Sequence, residues 1–201
     1  MHKETDTKER VEEQSFDIDS LIGAHALNGR NSGAVKHYYS NAQHACIASY
    51  LAEDIYDEGI ARAMIAMICA ERYTGYVAAD MLEMFPLLRK AHEKVQKRIF
   101  EAFGLDPKLA KSKEVDHIMR MMLAIEHRDV RTDSKIVPVN LPEPPAEVEI
   151  AHMTARRART ALTLRVKELF PDLAYDHESA LRESVTPHII IMMSEDRQQS
   201  F

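Results

Sequence analysis

Apolar positions along most of this chain recur at steps of three and four, the period of one helix face. Ile18, Leu21, Ile22 and Leu27 predict a short first helix that Asp17 or Asp19 can cap. Asn28 to Gly33 is rich in turn formers and reads as a loop. Ala42, Ala45, Ala48 and Ala52 then form a stripe of small residues beside Ile47, Leu51 and Ile55, with Ser40 or Asn41 as the cap and Gly59 as the break. Residues 60–70 are apolar on every side except at Arg62, which predicts a central helix continuing through Glu71 and ending near Gly75. Pro86 opens a helix carrying Leu88, Ala91, Val95, Ile99 and Phe103, and Gly104 closes it. Pro107 begins a new segment, and Val115, Ile118, Met119, Met122, Leu123 and Ile125 mark another helix to about Val130.

Residues 131–145 hold four prolines and no periodicity, an extended connection. A last long helix is predicted over roughly 145–169, carrying Val148, Ile150, Met153, Leu162 and Val166. The run Ile189 to Met193 reads as a strand or a partner-facing segment. Strand signals are otherwise scarce. The expected fold is all-α: a flexible lead over 1–15, a helical bundle over 16–170 and a C-terminal tail over 171–201.

Composition changes this picture little. The 201 residues suit one domain, and hydrophobic residues at 45% with charged residues at 29% describe a globular protein. The net charge of −6 argues against nucleic-acid binding, which wants a basic field. Two cysteines, Cys46 and Cys69, make neither a disulfide framework nor a zinc pattern and fit a reducing cytoplasm as buried small apolar residues. A polar opening predicts no signal peptide, and no long apolar run predicts a membrane span, so a cytoplasmic, non-membrane protein is expected.

Candidate chemistry is sparse. Ten histidines invite a metal site, yet no HExxH or zinc-finger spacing appears. His37 and His44 lie seven apart, two helical turns, so they point the same way but sit about 10 Å apart, too far to share an ion directly. There is no phosphate-binding Gly-rich loop and no nucleophile elbow. By itself Arg30 reads as a solvated loop charge, and Glu126 and Arg128 read as a helix-surface pair.

Several short runs carry a resemblance. Ala24-His25-Ala26-Leu27, Tyr38-Tyr39-Ser40-Asn41-Ala42-Gln43-His44, Glu71-Arg72-Tyr73-Thr74-Gly75, Phe103-Gly104-Leu105 and Leu123-Ala124-Ile125-Glu126-His127-Arg128-Asp129 appear in an order that resembles the YfbR-like 5'-deoxynucleotidase branch of the HD-domain phosphohydrolases, over about 18–170. The resemblance implies an HD-like helical bundle, a homodimer and a divalent-metal phosphohydrolase. It places His44 on the first metal-ligand position. The other three fall on Met67, Ile68 and Met119, and Tyr76 stands where an Asp would follow Gly75.

Apolar side chains cannot repay the dehydration of a divalent cation. The expectation is therefore a degenerate HD-like protein without metal or cofactor and with no assigned catalytic residue beyond the candidate Glu71. It would bind a nucleotide through Arg30, His44 and Glu71, or a protein partner. The alternative is an active nucleotide phosphohydrolase using Mn, Co or Mg with non-standard ligands, for which Asp116, His117 and His44 would have to rebuild the site. A third reading is a homo-oligomeric subunit that makes contact through its 187–193 tail.

Overall fold

The structure, a computed structural model, describes residues 18–74, 77, 79–132 and 140–173. Helices α1 (Ile18–Leu27), α2 (Asn41–Ile55), α3 (Glu58–Cys69), α4 (Glu71–Thr74), α5 (Ala79–Met84), α6 (Pro86–Ala102), α7 (Lys113–Asp129) and α8 (Ala155–Leu169) follow in order, with 3-10 turns at Asn31–Gly33 and Pro107–Lys111. Among the described residues there is no strand, only two isolated bridges. The all-α expectation holds.

The centre is the α2–α3 pair, with α1, α6, α7 and α8 around it. The alanine stripe explains why this pair is central. Ala42, Ala48 and Ala52 on α2 and Ala61, Ala63 and Ala66 on α3 are wholly buried, so the two backbones approach closely. Met64, Ile65 and Ile68 add large side chains beside Ile99, Phe100, Ile118 and Met122, each burial contributing about 1.5–3 kcal/mol. One core runs from Ile18 to Phe170. Cys46 and Cys69 are free and buried within it, and burial pushes both thiols up to about 12.

Local chemistry sets the helix ends. Ser40 caps α2 by accepting from the Gln43 amide. The break before α3 is not Gly59, which lies inside that helix. It is Tyr56-Asp57, where the Asp57 carboxylate accepts from Ile60 N at 2.9 Å. The central helix stops at Cys69, with the short α4 beyond it, and Gly75 lies outside the described residues. Pro86 opens α6 as expected. Gly104 closes it at φ +68°, with Leu105 N bonded to Phe100 O and Gly104 N to Glu101 O. Gly104→Ala meets no steric neighbour, but it forces a side chain into the left-handed region. It should lower stability by about 1 kcal/mol in urea unfolding. An unmoved midpoint would refute the cap.

The predicted helix over 145–169 begins only at Ala155, capped by Thr154. Before it, Val148, Ile150 and Met153 are buried from a segment that belongs to no helix. Side chains hold that segment by its backbone: Gln43 Nε2 donates to Ala151 O at 2.7 Å, and Asp129 Oδ2 accepts from Ile150 N at 2.9 Å. Arg128 donates to the carbonyls of Pro145 and Val148. The lead over 1–15, residues 133–139 of the proline-rich connection, and the tail from 174 onward, including 187–193, lie outside the described residues. No helix among the described residues is long and apolar enough to cross a membrane.

Candidate functional site

The site is assembled by the clasp between α1 and α2. Arg30 N bonds to Tyr39 O and Asn41 N to Asn28 O, each at 2.9 Å, which folds 28–41 back on itself and sets Arg30 beside the start of α2. Asn31 turns the chain at φ +54°. Past the turn the clasp joins the end of α7, through Lys36 N to Val130 O at 2.8 Å and a bridge between Val35 and Arg131. Lys36 Nζ also reaches the carbonyls of Arg128 and Asp129, a cation on the helix C-terminus. These contacts bring the last turn of α7, with Glu126, against Arg30.

Glu126 is the hub. Its Oε1 receives Arg30 Nε at 3.2 Å, the Tyr39 hydroxyl at 3.1 Å and His44 Nδ1 at 2.6 Å, while Oε2 receives Asn31 Nδ2 at 3.4 Å. The residue is 2% exposed. Burial alone would drive its carboxyl upward, but Arg30, then His44 and Tyr39, outweigh it and hold the group down to about 2. An ionised carboxylate only accepts, so at 2.6 Å His44 Nδ1 must carry the proton. Burial first, and then Arg30, lower the His44 pKa against the pull of Glu126. Its buried Nε2 is thereby left as a bare lone pair with no hydrogen-bond partner.

Arg30 continues outward. Its Nη1 donates to Asn41 Oδ1 at 3.1 Å and lies 3.5 Å from Glu71 Oε1. Burial raises the Glu71 carboxyl, and Arg30 and Asn41 pull partly against that rise. Arg30, His44 and Glu71, the predicted ligand-binding trio, thus converge on one buried network. Arg30 is not a solvated loop charge, since it is 4% exposed. Glu126 does not pair with Arg128 on the surface. Arg128 instead pairs with Asp129, with Nε 2.6 Å from Oδ1. Glu126, Tyr39, Asn31 and Asn41 escaped the sequence reading. One signal was available for Glu126: it stands four residues after Met122 in the stripe Val115, Ile118, Met122, a carboxylate where a core residue is due.

His37 and His117 lie elsewhere. His37 precedes α2 and does not share a helix with His44. Its ring meets His152 edge-on at 5.6 Å. His117 Nδ1 is 2.7 Å from the hydroxyl of Tyr56, at the far end of α2 from His44. Twelve residues of helix are about 18 Å, so His117 and its neighbour Asp116 do not rebuild a site with His44. His25 is wholly buried, and burial, helped by Arg72, pushes its ring down to about 4 against the pull of the Cys69 carbonyl.

The positions where the resemblance would put metal ligands do not fit a divalent cation. Ile68 is 1% exposed in the core. Met67 is packed against that core and its Sδ accepts from Gln96 Nε2 at 3.0 Å, and Met119 packs there too.

Comparisons with known proteins add one relative. The chain is similar to the uncharacterized protein YfdR of Escherichia coli (strain K12), 31% identical over 104 residues, which cover 52% of this chain and 55% of that protein. The chain therefore spans about half the length of the curated relative it matches. No protein-family model matches the chain, and no solved structure matches it.

Proposed function

We propose that this chain is a degenerate HD-like protein that acts by binding a nucleotide at the Arg30 network and not by metal-dependent hydrolysis. The observation that carries the reading is the state of Arg30. Its guanidinium is buried and held on one edge by Glu126, while its Nη1 edge faces Glu71 through the longest ion pair of the network, 3.5 Å. Glu71 is also the less buried of the two carboxylates, with its side chain 12% exposed against 3% for Glu126. A phosphate oxygen entering there would replace the weaker carboxylate and gain charge-assisted hydrogen bonds. His44 Nε2 accepts, so it suits an amino or hydroxyl donor elsewhere on the same ligand. The apolar side chains at 67, 68 and 119 support binding without a metal-activated water.

The test is a thermal-shift panel of deoxynucleoside monophosphates, run beside metal analysis and a phosphate-release assay with added Mn, Co and Mg. A ligand at 100 times its Kd should stabilise the protein by about 2.7 kcal/mol, with no phosphate released. Arg30→Gln should abolish the shift. Turnover with any of the three metals would restore the hydrolase reading, and a panel without any shift would remove the nucleotide.

A further inference from the structure

The arm formed by α5 and the first turns of α6 stands apart from the core. The buried residues of α6 are Gln96, Ile99 and Phe100, all in its second half, and α5 packs mainly on α6. A six-residue helix does not hold itself in water. Yet at the junction Met84 is 69% exposed, Phe85 49% and Leu87 82%. Along α6, Lys90 and Lys94 follow Leu87 on the same solvent-facing side, and Lys97 beyond them pairs with Glu101 at 3.6 Å. The surface is thus an apolar tip running into a basic stripe, on a chain whose net charge is −6.

The same sequence contains a complementary segment. Residues 174–201 include the apolar run Ile189 to Met193, followed at once by Ser194, Glu195 and Asp196, and they hold five acidic residues against two arginines. The chain leaves the described residues at Leu173, beside Phe170, whose ring packs on Phe103 at 4.9 Å. That point is the C-terminal end of α6, sixteen residues or about 24 Å from Leu87. The sixteen residues from Leu173 to Ile189 can span about 50 Å, so the reach is ample.

We propose that residues 189–196 of this same chain cover the Met84, Phe85 and Leu87 tip, with Glu195 and Asp196 meeting the lysines of α6. Burying three large apolar side chains is the driving force, the opposite charges set direction, and tethering supplies an effective concentration on the order of millimolar. The occupied arm is a latch between the C-terminus and α5–α6.

The test uses the full-length protein carrying Leu87→Cys and Met192→Cys. Cys46 and Cys69 are buried and do not compete. The control is Arg157→Cys with Met192→Cys, since Arg157 is exposed at the start of α8, a comparable helix length from Leu173. Under mild oxidation the 87–192 pair should form a monomer-sized cross-link at least about tenfold faster than the control, and Phe85→Glu should slow it to the control rate. Equal rates for the two pairs would overturn the latch. A dimer-sized cross-link would overturn it in favour of a second copy's segment. Flotation of the full-length protein with phosphatidylserine vesicles, abolished by Leu87→Glu, would overturn it in favour of a lipid surface.

Discussion

Replacing Glu126 with alanine is expected to cost about 3–5 kcal/mol of unfolding free energy, the largest effect of any single substitution here. The variant takes the closer carboxylate from the buried Arg30 guanidinium, leaving it beside Asn41 and the longer Glu71 contact, and it removes the acceptor of both Tyr39 and His44. Urea unfolding measures it, and a loss under 1 kcal/mol would show that the hub is dispensable. The same carboxylate makes stability depend on acid. Its folded pKa of about 2 lies below the ordinary 4.5, so its contribution is complete above pH 4.5 and is lost as pH falls toward 2. That shift corresponds to about 3 kcal/mol. His25 acts earlier. Held neutral down to about 4, it lets the unfolded chain take a proton first, so stability should begin to fall below pH 6.5. His44 is displaced in the same direction, and Glu71, raised by burial, in the opposite one. A stability curve flat from pH 7 to pH 4 would contradict the neutral, buried histidines.

The second large effect lies at Arg165, whose side chain is wholly buried on α8. Its Nε donates to Ser49 Oγ at 2.9 Å, its Nη2 to Glu53 at 2.7 Å and to Ser49 O at 3.3 Å, and its Nη1 to Glu168 at 2.9 Å. The guanidinium lies 4.0 Å from the centroid of the Tyr50 ring. Glu53 and Glu168 reach solvent, so removing Arg165 does not strand them. It takes the guanidinium donor from the Ser49 hydroxyl and carbonyl, leaving the hydroxyl its bond to Cys46 O, and opens a void between α2 and α8. Arg165→Ala should therefore cost about 3 kcal/mol. Arg165→Lys should recover less than half, because an ammonium cannot reproduce the planar fork. Full recovery by lysine would mean that charge alone matters. Denaturation midpoints of the two variants decide it.

How much of this was legible in the sequence depended on local chemistry. Ser40 ahead of α2, Pro86 at the first turn of α6 and Gly104 after its last are rules of a single turn, and each is met. The helix predicted from 145 was ten residues too long because Val148, Ile150 and Met153 also match an apolar helical pattern, while Val148 and Ile150 alone match an extended one. What decides between them is support from Gln43, Arg128 and Asp129, distant in sequence. The grouping of Arg30, His44 and Glu71 was suggested by resemblance and not by spacing, and the structure brings the three side chains together. Glu126, at the middle of the network, was read as surface because His127, Arg128 and Asp129 surround it with polar neighbours. Only the clasp that carries Lys36 to Val130 makes its position interior.

The hub also has a place in time. Its members come from residues 30–31, 39–44 and 126, with 96 positions between Arg30 and Glu126. The bonds to Glu126 need both a closed clasp and a docked α7, so they are expected among the last contacts made as the chain folds. Interactions absent from the transition state act on the return journey. Weakening this network should leave the refolding rate nearly unchanged and let the native protein open faster.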